Sequence, residues 1–369
     1  MKSKTLTALF VTVCLTGCIG TMAAQAEDAQ KMKLVTDGAG NEIEVPEEIE
    51  RYAVSAGPYC MVTWCVDGGN SERMVAMQEG NYFPGNAAFF DKNDPDFAVA
   101  ASNPGIGMDC SVNVEELMSL DPDVVFLWDT QTAEAEKLKE VGIIPVMVSS
   151  SAQSYDDFSD QITMIGEVLG REDQAAKLVS KFTETKDYFE SRADEIAETD
   201  KTSFLYLQTS GLSVASSLTS FTDFMNRCGG VNVTTETEGG ADLGYWTTVD
   251  MEQIMTWDPE VIVLSNFDAF TPEDLYENKI EGQDWSNISA VKNHRVYKEG
   301  TDITWLCISY SETPLYLEWM AKLVQPELYQ DLDLAQEWKD YYKEMFDIEL
   351  TDEDISNIMN VSLNGEDML

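Results

Sequence analysis

Short apolar runs alternate with helical patterns in the first half of the chain. Runs rich in β-branched or aromatic residues, bounded by Gly, Pro, Asp or Ser, predict buried strands at 52–56, 74–77, 124–128 and 144–148. Between them, apolar residues with helical spacing predict helices at 114–120 and 133–141. Short helices between buried strands are typical of a parallel α/β sheet.

The middle of the chain carries two long helical patterns. An apolar stripe from Phe158 to Leu169 is ended by Gly170 in the C-cap position. A second stripe follows at once and predicts one helix over residues 172–198, roughly 40 Å long at about 1.5 Å per residue. We interpret this helix as a rigid rod that joins two lobes.

The strand and helix alternation resumes after the rod. Strands are predicted at 204–207, 261–264 and 295–297, with helices at 221–228, 314–323 and 333–346. Thr351 with Asp354 three residues later predicts the capped start of a last helix. The predicted fold class is α/β, with two Rossmann-like lobes of parallel strands joined by one long rigid helix, in the manner of a clamshell.

One sequence pattern occurs twice. VNVEELMSLDPDVVFLW at 112–128 and VDMEQIMTWDPEVIVLS at 249–265 share seven identities at a constant offset. Each copy predicts a short helix that an Asp-Pro pair stops before a buried strand. One copy alone means little, because this pattern is common at helix–strand junctions. Two copies on opposite sides of the rod indicate two homologous lobes.

The N-terminus predicts export. Lys2 and Lys4 precede an apolar run that is too short to span a membrane and ends in Leu-Thr-Gly-Cys18. We read residues 1–18 as a lipoprotein signal peptide with Cys18 as the lipidated residue; cleavage after Ala26 is the alternative. The remaining divisions are a tether and hairpin at 19–50, the first lobe at 51–153, linker helices at 154–200, the second lobe at 201–325 and C-terminal helices at 326–369.

The net charge and the few reactive side chains argue against several classes of function. A formal net charge of -44 over 369 residues argues against binding nucleic acid or an anionic membrane surface. The single histidine, His294, excludes a metal site built of imidazoles, and no metal site is predicted. An odd number of cysteines remains beyond the signal region, so one or two disulfides with a free thiol and a fully reduced set both stay open: Cys60, Cys65, Cys110, Cys228 and Cys307.

Five segments, in order, resemble a known family. They are TDGAGNEIEVPEEIERYAV, NVEELMSLDPDVVF, LGREDQAAKLV, YWTTVDMEQIMTWDPEVIVLS and WSNISAVKNHRVY, and the resemblance covers about residues 35–328. The chain resembles the substrate-binding proteins of ABC importers, in the rod-linked group that carries ferric siderophores, haem and vitamin B12. The resemblance implies a monomer without a resident cofactor that captures a metal chelate and docks on a permease dimer with its ATPase. Together with the predicted signal peptide, this places the protein outside the cytoplasm, with a lipid anchor as its only attachment to the membrane.

The resemblance also implies a role for the repeated acid. In the vitamin B12-binding member, one surface glutamate on each lobe engages arginines of the permease, and those positions match Glu115 and Glu252. The alternative is that both acids are present only because the helix dipole favours a negative charge in the first turn of a helix.

Loops that follow the strands supply the candidate ligand site, because ligands of parallel α/β lobes meet the carboxyl ends of the strands. The side chains expected there are mostly aromatic and suit conjugated rings or cations: Tyr59, Trp64, Tyr82, Phe83, Trp128, Gln208, Tyr245, Trp246, Asp268 and Trp305. No arginine cluster suited to a trianionic chelate follows a strand, which favours a hydroxamate siderophore or a corrinoid. Trp257 and Trp319 are assigned to the core by their helical spacing.

Two other classes of protein are alternatives. A metal-cluster oxidoreductase on a two-lobed α/β scaffold would need several cysteines between the lobes, and no phosphate-binding glycine loop or nucleophile elbow occurs. A surface interaction protein would need neither paired lobes nor a rod. The sequence therefore predicts a receptor and not an enzyme.

Overall fold

A short hairpin leads into the first lobe of the computed structural model, which describes residues 31–152, 154–198, 200–236, 244–266, 268–300 and 310–365. Strands β1 (Met32–Thr36) and β2 (Glu42–Pro46) pair antiparallel, as predicted. The Asp37 carboxylate accepts hydrogen bonds from the amides of Ala39 and Asn41 and so shapes the turn. Gly38 donates to the carbonyl of Met147 at 2.7 Å, which docks the turn on the first lobe.

The first lobe contains the parallel sheet that the sequence predicts. Its strands lie in the order β4-β3-β5-β6 and all pairs are parallel. In chain order its elements are β3 (Tyr52–Val54), α1 (Gly57–Val66), β4 (Met74–Met77), α2 (Ala87–Asn93), α3 (Pro95–Ser102), α4 (Val114–Leu120), β5 (Val124–Trp128), α5 (Thr132–Glu140) and β6 (Ile144–Val148). All four predicted strands are present, because each is an apolar run buried on both faces of the sheet.

The predicted single rod is wrong in one respect. Helix α6 (Tyr155–Leu169) is followed by α7 (Glu172–Ser191), which ends at Arg192, and by a separate short helix α8 (Ala193–Glu198). The Arg192 guanidinium lies 4.7 Å over the Tyr188 ring and pairs with Asp331 at 2.5 Å. The ion pair with Asp331 ties Arg192 to the C-terminal segment at the break, and the rod helix α7 is about 30 Å long.

The second lobe has a mixed sheet, which corrects the prediction of parallel strands throughout. The strand order is β10-β8-β7-β11-β12, with β9 beside β7; β8 and β10 run antiparallel to their neighbours. Leu212 adopts φ 62° in the tight turn that reverses the chain after β7. The elements are β7 (Thr202–Thr209), β8 (Ser213–Ala215), α9 (Ser220–Arg227), β9 (Gly230–Asn232), β10 (Trp246–Thr248), α10 (Met251–Trp257), β11 (Val261–Leu264), α11 (Pro272–Tyr276), α12 (Ser289–Lys292) and β12 (Val296–Lys298).

The C-terminal helices pack against both lobes. They are α13 (Thr313–Val324), α14 (Leu334–Phe346), α15 (Asp352–Ile358) and α16 (Val361–Asn364), and Thr351 with Asp354 forms the predicted capping box. The Phe346 ring at the end of α14 lies 4.9 Å from the Trp64 ring of α1. Gln174 of the rod donates to the carbonyl of Met345. One continuous hydrophobic cluster therefore runs through both lobes, the rod and these helices, and it links the lobes a second time.

A buried acid where α13 meets the rod predicts a pH dependence of stability. Burial raises the pKa of Glu318 to about 7, although Lys181 at 3.8 Å opposes the shift. The folded pKa lies above the ordinary glutamate pKa of 4.5. Between those two pH values the folded state holds a proton that the unfolded chain has lost, so stability falls as pH rises through this window. The resulting loss in the free energy of unfolding is on the order of 3 kcal/mol, and Glu318→Gln should abolish it. Urea unfolding of the unmodified protein and of the variant from pH 4 to pH 8 measures this effect. If the free energies of unfolding of the two proteins changed in parallel with pH, the prediction would be contradicted.

Candidate functional site

A cavity opens at the carboxyl ends of the first-lobe strands. Its volume is about 170 Å³, and its lining is contributed by the start of α1, the loop after β4 and the loop before α4. The lining residues are Gly57, Pro58, Gln78, Gly80, Asn81, Met108 and Cys110. The lining is mainly apolar, with side-chain amides as its polar groups.

Hydrogen bonds hold the loop that carries Met108 and Cys110 against the strand ends. Ser55 and Gln131 both donate to the carbonyl of Cys110, at 2.7 Å each. Gln78 donates to the carbonyl of Met108 at 2.6 Å. These hydrogen bonds fix the position of the cavity wall. Sequence reasoning missed Gln78, Asn81 and Met108 as lining residues; the run Gln-Glu-Gly-Asn directly after β4 was the available signal for the first two, whereas Met108 follows no strand.

Trp128 lies at the end of β5, half-buried, as its position in the sequence indicates. Its amide donates to the side chain of Gln131 at 3.0 Å, and its ring meets the Tyr59 ring edge-on at 5.5 Å. Tyr59 itself is fully buried and donates to the carbonyl of Ser149 at 2.9 Å. The expectation that Tyr59 lines the cleft is therefore corrected: it supports Trp128 from within the core.

The placement of Trp64 in the ligand site is wrong. This side chain is completely buried on α1, almost two turns beyond the loop, and its indole donates to Asp94 at 2.8 Å. Aromatic rings surround it on α2 and α14. Helix α1 begins at Gly57, so residues seven positions further on face the core and not the strand ends.

Tyr82 and Phe83 follow β4 and are both half-buried. The Tyr82 hydroxyl donates to Asp91 at 2.7 Å, and its ring packs against the main core. This hydrogen bond raises the pKa of Tyr82. Both residues lie on the segment that leads from the cavity to α2, next to the lining residue Asn81.

In the second lobe, Trp246 is the half-buried aromatic residue on edge strand β10, and its neighbour Tyr245 is 49% exposed. The Trp246 ring lies 5.8 Å from Tyr206 and 5.9 Å from Phe221, which stack on each other at 4.5 Å. An aromatic platform thus holds Trp246.

Gln208 and Asp268 hold the loops of this edge together. Gln208 accepts a hydrogen bond from Ser213 at 2.7 Å, and Asp268 accepts from the amide and hydroxyl of Ser210 at 2.8 Å each. Burial raises the pKa of Asp268, but the hydrogen bonds from Ser210 outweigh it and hold that pKa below its usual value. Trp305, the last expected ligand residue, lies outside the described residues.

A buried carboxyl beneath the platform was not anticipated. Glu299 follows β12 and accepts hydrogen bonds from the hydroxyls of Tyr206, at 2.8 Å, and Tyr316. Burial raises the pKa of Glu299 to about 7, although both hydroxyls lower it. The adjacent Lys298 donates to the carbonyls of Ser265 and Asp268. The available sequence signal for Glu299 was an acid directly after the short strand Val296–Lys298.

The repeated sequence forms the same structure in each lobe. Asn113 and Asp250 cap α4 and α10 by accepting from the amide three residues on, and both helices end in a left-handed aspartate at Asp121 and Asp258. Each is followed by a strand at the middle of its sheet. Glu115 and Glu252 occupy the second position of the two helices, and both are exposed.

The four described cysteines carry free thiols: Cys60, Cys65, Cys110 and Cys228. Burial raises the pKa of the Cys60, Cys65 and Cys228 thiols, which keeps them protonated and unreactive. Cys110 is half-buried in the cavity wall. Cys307 and Cys18 lie outside the described residues.

The family profile described as periplasmic binding protein matches residues 54–301, from the end of β3 to just past β12. This match spans both lobes and the rod. The chain belongs to this family. The resemblance drawn from the sequence is confirmed for the family and for the two-lobed fold.

Two proteins are similar to this binding protein over most of its length. A periplasmic solute binding protein from Veillonella parvula DSM 2008 is 36% identical with a TM-score of 0.83, over 92% of this chain and 100% of that one. The uncharacterized ABC transporter substrate-binding lipoprotein YvrC of Bacillus subtilis is 26% identical over 306 residues, 80% of this chain and 88% of the relative.

Two relatives are named for the ligand that they bind. The molybdate-binding protein MolA of Haemophilus influenzae is 27% identical over 258 residues, 64% of this chain and 70% of the relative. A vitamin B12-binding protein of Yersinia pestis is 26% identical over 187 residues, 48% of this chain and 63% of the relative.

This binding protein is an extracytoplasmic solute receptor of an ABC importer, and such receptors work with permease and ATPase components. The family is one of solute-binding proteins and not of enzymes. Within the described residues, no helix combines the length and the apolar character that a membrane span needs.

Proposed function

We propose that this binding protein captures a neutral or cationic metal chelate, a ferric hydroxamate siderophore or a corrinoid, and delivers it to its importer. The observation that carries the proposal is the presence of partly exposed apolar and aromatic side chains on both lobes. The first lobe presents Trp128 and the 62% exposed Met108, and the second presents Tyr245 and Trp246. Rings and thioethers of this kind stack on macrocycles and hold cations over their faces.

The positions of the arginines support the same class of ligand. All six arginines lie within the described residues, and each has partners elsewhere: Arg51, Arg73, Arg171, Arg192, Arg227 and Arg295. None lines the cavity at the first-lobe strand ends. A trianionic catecholate would need such charges in the site, so it is disfavoured.

A second candidate ligand is an oxyanion such as molybdate. The start of α1 borders the cavity, and its N-cap residue Ala56 supplies no side-chain cap, so the first backbone amides of α1 have no side-chain acceptor at that position. Helix N-termini of this kind favour anions. One relative is named for molybdate binding.

A panel of ligands distinguishes these candidates. Thermal unfolding and tryptophan fluorescence should be measured with cobalamin, cobinamide, a ferric hydroxamate, a ferric catecholate, molybdate and sulfate. Stabilisation by a corrinoid or hydroxamate at micromolar concentration supports the proposal. Stabilisation by molybdate alone would replace it with the oxyanion function, and no response to any ligand would refute both.

Trp128→Ala should raise the Kd of the chelate identified in this way by about 10- to 100-fold, because a large aromatic contact is removed from the site. Titration of intrinsic fluorescence measures the Kd. Trp257→Ala is the matched control, since Trp257 is also half-buried but packs against the second-lobe core on α10. Equal losses in both variants would show that the effect reflects folding and not contact.

We propose further that Cys18 carries a lipid anchor and that Glu115 and Glu252 dock on the permease. The anchor is tested by fractionation: Cys18→Ser should release the protein from the membrane, and retention would contradict the anchor. Docking is supported by the position of the two glutamates, which project from equivalent exposed positions on equivalent helices.

A further inference from the structure

Most identities between the two copies of the repeat have a structural reason. Pairs that are buried, or half-buried against the core of their own lobe, are Val112/Val249, Pro122/Pro259, Val124/Val261 and Leu127/Leu264. Asp121 and Asp258 both adopt the left-handed conformation that ends their helices, which aspartate tolerates better than most residues. Neither burial nor backbone conformation explains the two remaining pairs, Glu115 with Glu252 and Met118 with Met255. The first-turn position of the glutamates favours an acid but does not account for the methionines.

The two methionines are exposed although they are apolar. Met118 is 50% and Met255 is 45% exposed, and neither belongs to a hydrophobic cluster of the described residues. The exposed neighbours that follow them, Ser119 and Thr256, have diverged. The fold alone therefore does not account for a methionine at both positions.

Each methionine shares a helix face with the proposed docking acid. Met118 lies three residues after Glu115, and Met255 lies three residues after Glu252; residues at this spacing are neighbours on a helix surface. The same acid–thioether pair is thus presented once by each lobe. An acid favours a basic group opposite it, and a flexible thioether adapts to an apolar surface beside that group.

We infer that Met118 and Met255 are docking residues that contact the two subunits of one permease dimer at equivalent places. Two identical surface pairs on one chain fit a partner that presents the same surface twice, as a two-fold symmetric dimer does. Each subunit would present an arginine for the glutamate and an apolar patch for the methionine. The methionine excludes water from the edge of the ion pair and so prolongs the complex. This inference rests on the proposed docking role of Glu115 and Glu252.

The test measures binding to the importer, with its permease dimer and ATPase in lipid nanodiscs and without added ligand. Met118→Gln and Met255→Gln keep side-chain length and helix propensity while adding polarity. Each should raise the Kd by about 5-fold and the double variant by about 25-fold, because distant sites add in free energy. Met32→Gln is the matched control: Met32 is 44% exposed, lies on β1, and should leave the Kd unchanged.

The outcomes separate this inference from the docking proposal. If the double methionine variant binds normally while Glu115→Arg with Glu252→Arg does not, the methionine inference is wrong and the docking glutamates stand. If neither variant affects binding, the docking proposal itself is wrong. If only one of the two single methionine variants raises the Kd, the two methionines do not make equivalent contacts with a symmetric dimer, and the inference is wrong. Unchanged thermal stability of both single variants keeps the comparison free of folding effects.

Discussion

Exchanging Glu115 and Glu252 together for arginine is expected to lower solute uptake by about 100-fold or more, since like charges placed at two contacts cost several kcal/mol. Both side chains are exposed, and both lie on short helices whose caps do not involve them. Ligand affinity and thermal stability should stay as in the unmodified protein. Uptake of labelled ligand by cells that carry each variant measures the effect.

A control separates position from total charge, which matters in a chain with a formal net charge of -44. Glu140 on α5 and Glu344 on α14 are also exposed, and exchanging both for arginine alters the net charge by the same amount. This control should import normally. If it loses uptake as strongly as the first variant, long-range charge and not contact at Glu115 and Glu252 governs docking.

Asp67→Ala is expected to lower the free energy of unfolding by about 3 to 5 kcal/mol, the usual cost of removing one partner of a buried ion pair. The Asp67 side chain is 2% exposed and accepts from Arg73 at 2.6 and 3.0 Å and from Arg171 at 2.9 Å. Arg171 is the N-cap residue of the rod helix α7. Asp67 therefore joins the first lobe to the rod, and its loss leaves guanidinium groups without a carboxylate.

Urea unfolding of the purified variant measures this effect. Asp223→Ala is the matched comparison, because Asp223 pairs with Arg227 at 2.7 Å but both side chains are more than two fifths exposed. An exposed pair of this kind contributes about 0.5 kcal/mol or less. A similar small change for Asp67→Ala would show that the junction between lobe and rod does not depend on this carboxylate.

The candidate ligand residues show where sequence reasoning is reliable and where it fails. Trp128 was placed correctly at a strand end, because an apolar run of five residues leaves little doubt where the strand stops. Trp64 was misplaced, since nothing local marks that α1 begins at Gly57 and carries the next residues into the core. Met108 was missed because hydrogen bonds from distant residues, and not its own sequence neighbours, bring its loop to the cavity.

The sequence by itself determined what depends on local periodicity and capping. The buried strands of the first lobe, the hairpin at Asp37, the capping box at Thr351 and the duplicated helix–strand unit all follow from residues within a few positions of one another. Such patterns fix backbone conformation because each residue interacts with its near neighbours in the chain.

Only the tertiary structure decided which distant segments meet. The antiparallel pairing of β8 and β10, the break of the rod at Arg192 and the return of α14 to cover Trp64 depend on contacts between residues far apart in sequence. The apolar periodicity of α14 shows that one face is buried but not against what. That partner is chosen by the shape and volume of the whole core, which no short stretch of sequence contains.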